Sequence, residues 1–185
     1  LDGATHDTYK KYRVGGSFNR VIRHIRRINQ FKAHHDSRFP KLTWQFIIFG
    51  HNEAELPAAR AMAKELNMHF RSKLNHTPSF SPVRDQEFVR QEGGHNAASR
   101  DEFMEKKRRA YSSPCIQLWD SPQINWDGAL LGCCVNKFAS FGNVFQDGLR
   151  QCMTSETYLY AKQMVLGLKP PREDIPCYRC KTYHK

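Results

Sequence analysis

No cysteine precedes Cys115 in this 185-residue chain, and all six (Cys115, Cys133, Cys134, Cys152, Cys177 and Cys180) fall in the stretch it opens. Cys115 is followed by twelve residues, then Gly128, then four residues and Cys133; Cys177-x2-Cys180 closes the set. Asp127-Gly128, between Gln123–Trp126 and Ala129–Cys133, is a two-residue hairpin signal. Such a hairpin folds the strand carrying Cys133 back beside the segment carrying Cys115. The Cys-x2-Cys turn presents two more thiols, completing four soft ligands of the kind that iron-sulfur clusters or zinc prefer. Six cysteines are too few for a disulfide scaffold, which runs to roughly 8–10% of a chain. Their clustering predicts one metal or redox module at the C-terminal end and a chemically different part before it.

That earlier part reads as α/β. Phe18, Val21, Ile22, Ile25, Ile28 and Phe31 recur at three- and four-residue steps, which predicts a helix over 17–33 with Arg20, Arg23, Arg26 and Arg27 on its other side. Leu42 to Phe49 is a short apolar run, rich in β-branched and aromatic residues, after Pro40, and predicts a strand buried on both faces, the kind found in parallel sheets. Asn52-x-x-Glu55 is related to a capping box and opens a helix with Leu56, Ala59, Met62, Ala63 and Leu66 inward, although Pro57 sits late for a first turn. Met68 to Lys73 alternates as a second strand. Residues 76–110, rich in Pro, Ser, Asn and Gly, are expected as a connecting segment with a short basic helix from Arg100 to Tyr111. Ser155 should cap a helix running to Met164. No apolar stretch approaches the roughly 18 residues of a membrane span.

The cysteine pattern closely resembles the C-terminal half of radical S-adenosylmethionine (SAM) enzymes with a SPASM or twitch extension. C-x(9 to 15)-G-x4-C is that family's signature for an auxiliary [4Fe-4S] cluster, met here by Cys115, Gly128 and Cys133. Asn125-Trp126-Asp127-Gly128, Gly142-Asn143-Val144-Phe145, Gly148-Leu149, Ser155-Glu156 and Pro176-Cys177-Tyr178-Arg179-Cys180 are similar to the family's flanking features. The resemblance continues backward. Leu1-Asp2-Gly3-Ala4-Thr5 through Gly16 looks like the segment after the fourth strand of the radical SAM barrel, and Trp44 to Glu55 like its fifth strand and following helix. It implies an α/β fold: the C-terminal part of a partial (β/α) barrel over 1–75, a linker over 76–110, and a small SPASM/twitch domain over 111–185.

In many family members the fifth strand carries G-x-I-x-G-x-x-E, whose apolar residue packs on the adenine of SAM; Ile48, Gly50 and Glu53 match it, and Phe46 replaces the first glycine. Asp2 and Arg13 lie where the family places polar groups facing SAM or substrate. The catalytic C-x3-C-x2-C is absent, and the chain begins at Leu1, so it reads as a fragment of a longer enzyme. On this resemblance the parent would reductively cleave SAM on a second [4Fe-4S] cluster to make a 5′-deoxyadenosyl radical. Its partners would be the missing N-terminal barrel half, a reducing protein such as flavodoxin or ferredoxin, and a peptide, carbohydrate or other small-molecule substrate. It would be cytoplasmic.

A full SPASM domain continues C-x2-C-x5-C-x3-C for a second auxiliary cluster. After Cys180 the next cysteine would fall one residue past Lys185, so one twitch-like cluster on Cys115, Cys133, Cys177 and Cys180 is expected. Adjacent side chains on a strand face opposite ways, so only one of Cys133 and Cys134 should reach it, and Cys133 is favoured. Cys152 stands where the family has an apolar residue and reads as a buried thiol. His34-His35-Asp36 reads as a solvated turn, and His51 and His69 as either barrel-mouth or surface residues. The alternative is a non-enzymatic zinc or nucleic-acid module: Lys+Arg 29 against Asp+Glu 18 gives +11, with clusters in the arginine helix and at Lys106-Lys107-Arg108-Arg109. A solvated helix face accounts for these without nucleic acid, or the charge serves an acidic substrate or redox partner.

Overall fold

Ser17 opens the longest helix by accepting a hydrogen bond from the Arg20 N–H, which satisfies one of the helix's otherwise unpaired first-turn donors. The computed structural model describes residues 1–112 and 114–183. The chain divides into two units, Leu1–Tyr111 and Ser112–Lys185.

In the first unit, α1 (His6–Tyr12), capped by Thr5, precedes α2 (Phe18–His34). The α2 stripe is buried through Phe18, Ile22 and Ile25, and the Phe18 ring packs on Tyr9 and Trp44. It ends sooner than its periodicity suggests. Phe31 is 54% exposed, whereas Asn29 of the same turn donates to Leu66 O (2.6 Å). The apolar run forms β1 (Thr43–Ile48), in which Trp44, Phe46, Ile47 and Ile48 are buried. A single 3-10 turn at Glu53–Glu55 then leads into α3 (Leu56–Glu65). That turn resolves the late proline: Pro57 falls in the first turn of α3, where its missing N–H costs no hydrogen bond. The chain returns as β2 (His69–Leu74), parallel to β1 with Thr43 opposite His69 and Ile48 opposite Leu74.

The other edge of β1 is covered by the first residues of the chain. The Leu1 nitrogen donates to the Gln45 carbonyl (2.9 Å), Trp44 Nε1 to the Leu1 carbonyl (2.8 Å), and Ile47 N to the Asp2 carboxylate (2.8 Å). This removes an open template for further strand pairing.

Residues 76–110 do not run as a bare connection. They form α4 (Gln86–Glu92) and α5 (Arg100–Lys107), and Val89, Ala97, Ala98 and Phe103 join the same core as Trp44 and Leu56. The α5 helix stops at Lys107, not Tyr111, because Arg108 turns left-handed (φ 51°); the Tyr111 hydroxyl instead accepts from Leu74 N at the end of β2 (2.8 Å). Glu102 ties the two helices together. Its carboxylate accepts from Arg90 Nε (2.7 Å) and Ala98 N (2.8 Å) and pairs with Lys106 Nζ (2.7 Å).

The Arg90 and Lys106 bonds hold the Glu102 carboxyl at about 2 instead of its ordinary 4.5. A depressed folded-state value stabilises the fold above the unfolded-state value, so this contribution is complete above about pH 4.5 and is lost as pH falls toward 2. In urea unfolding between pH 2 and 6, Glu102→Gln should flatten this part of the acid dependence. An unchanged pH slope would show that the pair contributes nothing.

The second unit is built from α6 (Gln117–Asp120), a short antiparallel hairpin, α7 (Leu149–Thr154), α8 (Glu156–Val165) and a 3-10 turn at Pro176–Arg179. Ser155 caps α8, accepting from Tyr158 N. Leu118, Leu130, Phe141, Tyr158, Met164 and Ile175 form its core. The hairpin differs from a two-residue turn. Asn125 N donates to Ala129 O and Gly128 N to Asn125 O, so Trp126, Asp127 and Gly128 make a three-residue connection. A two-residue type I′ turn needs positive φ at both central positions, and here only Gly128 has it (φ 86°). A third segment completes the antiparallel arrangement through Leu130 N to Gly142 O (2.9 Å) and Val144 N to Gly128 O (2.8 Å).

Candidate metal centre

Three short segments of the second unit carry thiols: the turn before α6, the bend just after the hairpin, and the turn at Pro176–Arg179; the hairpin's paired residues themselves include neither Cys115 nor Cys133. Cys115 is half-buried in the 3-10 turn Pro114–Ile116 that leads into α6. Gly132 (φ 76°) bends the chain just before Cys133; a Cβ there would come within 2.7 Å of Leu118 and 3.0 Å of Phe141. Cys133 turns inward at 8% exposure, whereas Cys134 is exposed and its N–H donates to Gln117 Oε1 (2.8 Å). Cys177 and Cys180 are buried on one turn, closed by Cys180 N to Cys177 O (3.1 Å).

Burial, with Cys133, Cys115 and Cys180 adding to it, pushes the Cys177 thiol up to about 12. All three remaining thiols are therefore within electrostatic reach of Cys177. Four thiolates so close repel one another, and a bound cation or cluster supplies the positive charge that lets them ionise together. Among the described residues no three Cys, His, Asp or Glu side chains already stand as ligands around one point, so the thiols are neighbours that a metal would draw together. The donor set fits a thiolate-ligated iron-sulfur cluster.

Tyr158 was not legible as part of this region. Its ring is fully buried, packs edge-on against Phe141 (5.0 Å), and donates its hydroxyl to Leu118 O (2.9 Å). Burial, with Cys133 and Cys177 adding to it, raises the phenol to about 12, so it stays neutral beside the thiols. The only signal was its place one turn into a helix capped by Ser155, which does not separate a site wall from an ordinary core residue. Cys152 is not among the thiols that act on Cys177: it is 2% exposed in the same core, and burial and Asp147 raise its thiol.

In the first unit, Asp2, Arg13, Ile48, Gly50 and Glu53 gather at the carboxyl end of β1. Asp2 is fully buried, accepting from Ile47 N and from Arg13 Nε (2.8 Å each), with Arg13 Nη2 at 2.7 Å. Ile48 is fully buried, its Cδ1 against Gly93. Gly50 N donates to Ser81 O (2.8 Å), and the Glu53 carboxylate accepts from Arg84 N and Asp85 N (3.0 Å each). His51 belongs to this end of the sheet: its Nδ1 meets Ser81 Oγ (2.8 Å), its ring stacks on Phe49, and its Nε2 is buried without a partner. His69 is exposed at the other end, opening β2. His34 and His35 are exposed, edge to face.

Among the described residues no helix is long and apolar enough to cross a membrane. No curated protein and no solved structure matches the chain. Residues 115–181, beginning at Cys115 and ending just past Cys180, match the family model of the SPASM domain, an iron-sulfur cluster-binding domain.

Proposed function

We propose that the chain is the C-terminal portion of a radical SAM enzyme, whose second unit holds one auxiliary [4Fe-4S] cluster on Cys115, Cys133, Cys177 and Cys180. The observation that carries this is the coincidence of two independent findings: the SPASM match over 115–181, and the action of Cys115, Cys133 and Cys180 on the buried Cys177 thiol. A cluster bound there supplies a site for holding substrate or passing an electron. The chain's own part is to deliver the thiols on the turn before α6, the bend after the hairpin and the turn at Pro176–Arg179, to release their protons on loading, and to keep water out with Leu118, Phe141 and the neutral Tyr158.

The radical SAM parent is supported by the occurrence of SPASM domains in such enzymes; its C-x3-C-x2-C would lie upstream of Leu1. Asp2, Arg13, Ile48, Gly50 and Glu53 fit the SAM-facing side of that parent, since α/β proteins bind ligands at the carboxyl ends of their parallel strands. Its substrate would be a peptide, a carbohydrate or another small molecule, and its electrons would come from a flavodoxin- or ferredoxin-like protein.

The test is iron, acid-labile sulfide and zinc content after reconstitution without oxygen. About four irons and four sulfides per chain, with broad visible absorbance, are expected. One tightly held zinc and no colour would overturn the cluster reading. An intact upstream reading frame without C-x3-C-x2-C would overturn the radical SAM parent alone.

A further inference from the structure

Between Asp7 and Asp36 the chain contains no carboxylate, yet α2 exposes Arg20, Arg23, Arg26 and Arg27. None of the ion pairs among the described residues includes any of the four. Arg20 and Arg23, Arg23 and Arg26, and Arg23 and Arg27 are three or four residues apart, so each is a repulsive pair on one helix surface. The helix also lacks an acidic residue in its first turn, where α1, α4, α5 and α8 each have at least one, and Arg20 sits there against the helix dipole. A merely solvated face needs charge, but it gains nothing from having one sign throughout. Folding therefore does not account for this arrangement, and binding a polyanionic surface does.

The geometry points to a docking surface for a carboxylate-rich face of a protein partner. Arg23, Arg26, Arg27, Phe31 and His34 form one open face of α2, and Phe31 is 54% exposed on it. Nearby in sequence, Phe39 is 58% exposed with Arg38 and Lys41 over its ring. Arginine and aromatic side chains together are the residues enriched at the energetic centre of protein interfaces. Two other polyanions fit less well. Single-stranded nucleic acid binds by stacking bases on free aromatic faces, and the Phe31 ring is already engaged by a parallel His35 and by the Arg27 guanidinium. Insertion into an anionic membrane uses an apolar helix face, and that of α2 is buried as Phe18, Ile22 and Ile25, so a membrane would meet α2 through its charge alone.

The test uses the full 185-residue chain with poly-L-glutamate, single-stranded RNA and phosphatidylserine vesicles as probes, each at low and physiological salt. Poly-L-glutamate is expected to bind most tightly, with affinity falling as salt rises. Arg20→Glu with Arg23→Glu should weaken that binding by about tenfold or more. The same variant should melt at the same or a higher temperature, because one new carboxylate then lies in the first turn and the other four residues before Arg27. Lys107→Glu with Arg108→Glu, an equal charge change elsewhere, should leave binding within about twofold of the unaltered chain. Equal losses in both variants, no loss in either, or tighter binding to RNA or vesicles would overturn the proposal. None of these readouts depends on the cluster.

Discussion

Replacing Cys177 and Cys180 together by alanine should take iron and sulfide from about four each per chain to near zero, while Cys134→Ala and Cys152→Ala keep theirs. Removing half of a four-thiolate set leaves too few ligands to hold a cluster against solvent. The contrast within the six cysteines carries the argument. Cys133 is turned inward and adds to the electrostatic load on Cys177, whereas its neighbour Cys134 faces solvent. Cys152 lies in the same core as Tyr158 and Ile175, and its thiol stays protonated beside Asp147. Its loss should cost packing, on the order of 1 kcal/mol, without loss of metal. Iron and sulfide assays with visible spectra on the variant series check this. Retention of the cluster in Cys133→Ala, with loss in Cys134→Ala, would invert the assignment.

What is legible in the sequence follows from how much of each signal is local. The α2 helix and the two parallel strands are readable because a 3.6-residue stripe and short apolar runs survive in any tertiary setting. The thiol set is readable from its spacing, but not from the hairpin: Cys115 sits in the turn before α6 and Cys133 just past the paired residues, so α6 and the bend at Gly132 also decide where the two thiols lie. What escapes depends on long-range partners. Val89 and Phe103 each contribute one buried side chain from a helix of seven or eight residues, too short for periodicity to show, so 76–110 carries only the signals of a connection. The turn type at Gly128 escapes because Asp-Gly alone does not say whether the residue before Gly adopts positive φ. The role of Asp2 as a cover for the β1 edge lies in a backbone donor 45 residues away, and nothing around Asp2 announces it.

Gly50 is where local and long-range readings meet. Its resemblance to a family glycine suggests a ligand, but the structure supplies a reason for glycine that needs none: a Cβ there would overlap the carbonyl oxygen of Pro82. That oxygen is backbone, so no side-chain rotation relieves the clash, and the loop after β2 must move. The loop is held by Gly50 N to Ser81 O, by His51 N to Ser81 Oγ, and by the Glu53 carboxylate on Arg84 N and Asp85 N. Gly50→Ala should therefore destabilise the first unit by on the order of 3 kcal/mol, combining overpacking with lost hydrogen bonds. Glu53→Gln alone weakens the charge-assisted hold on the same loop. In the Gly50→Ala background that hold is already displaced, so Glu53→Gln should cost about 1 kcal/mol less than it does alone, measured as a double-mutant cycle by urea unfolding. Strict additivity would mean that Glu53 and Gly50 secure different segments. A neutral Gly50→Ala would mean that Pro82 yields freely, leaving a bound ligand as the remaining reason for glycine at this position.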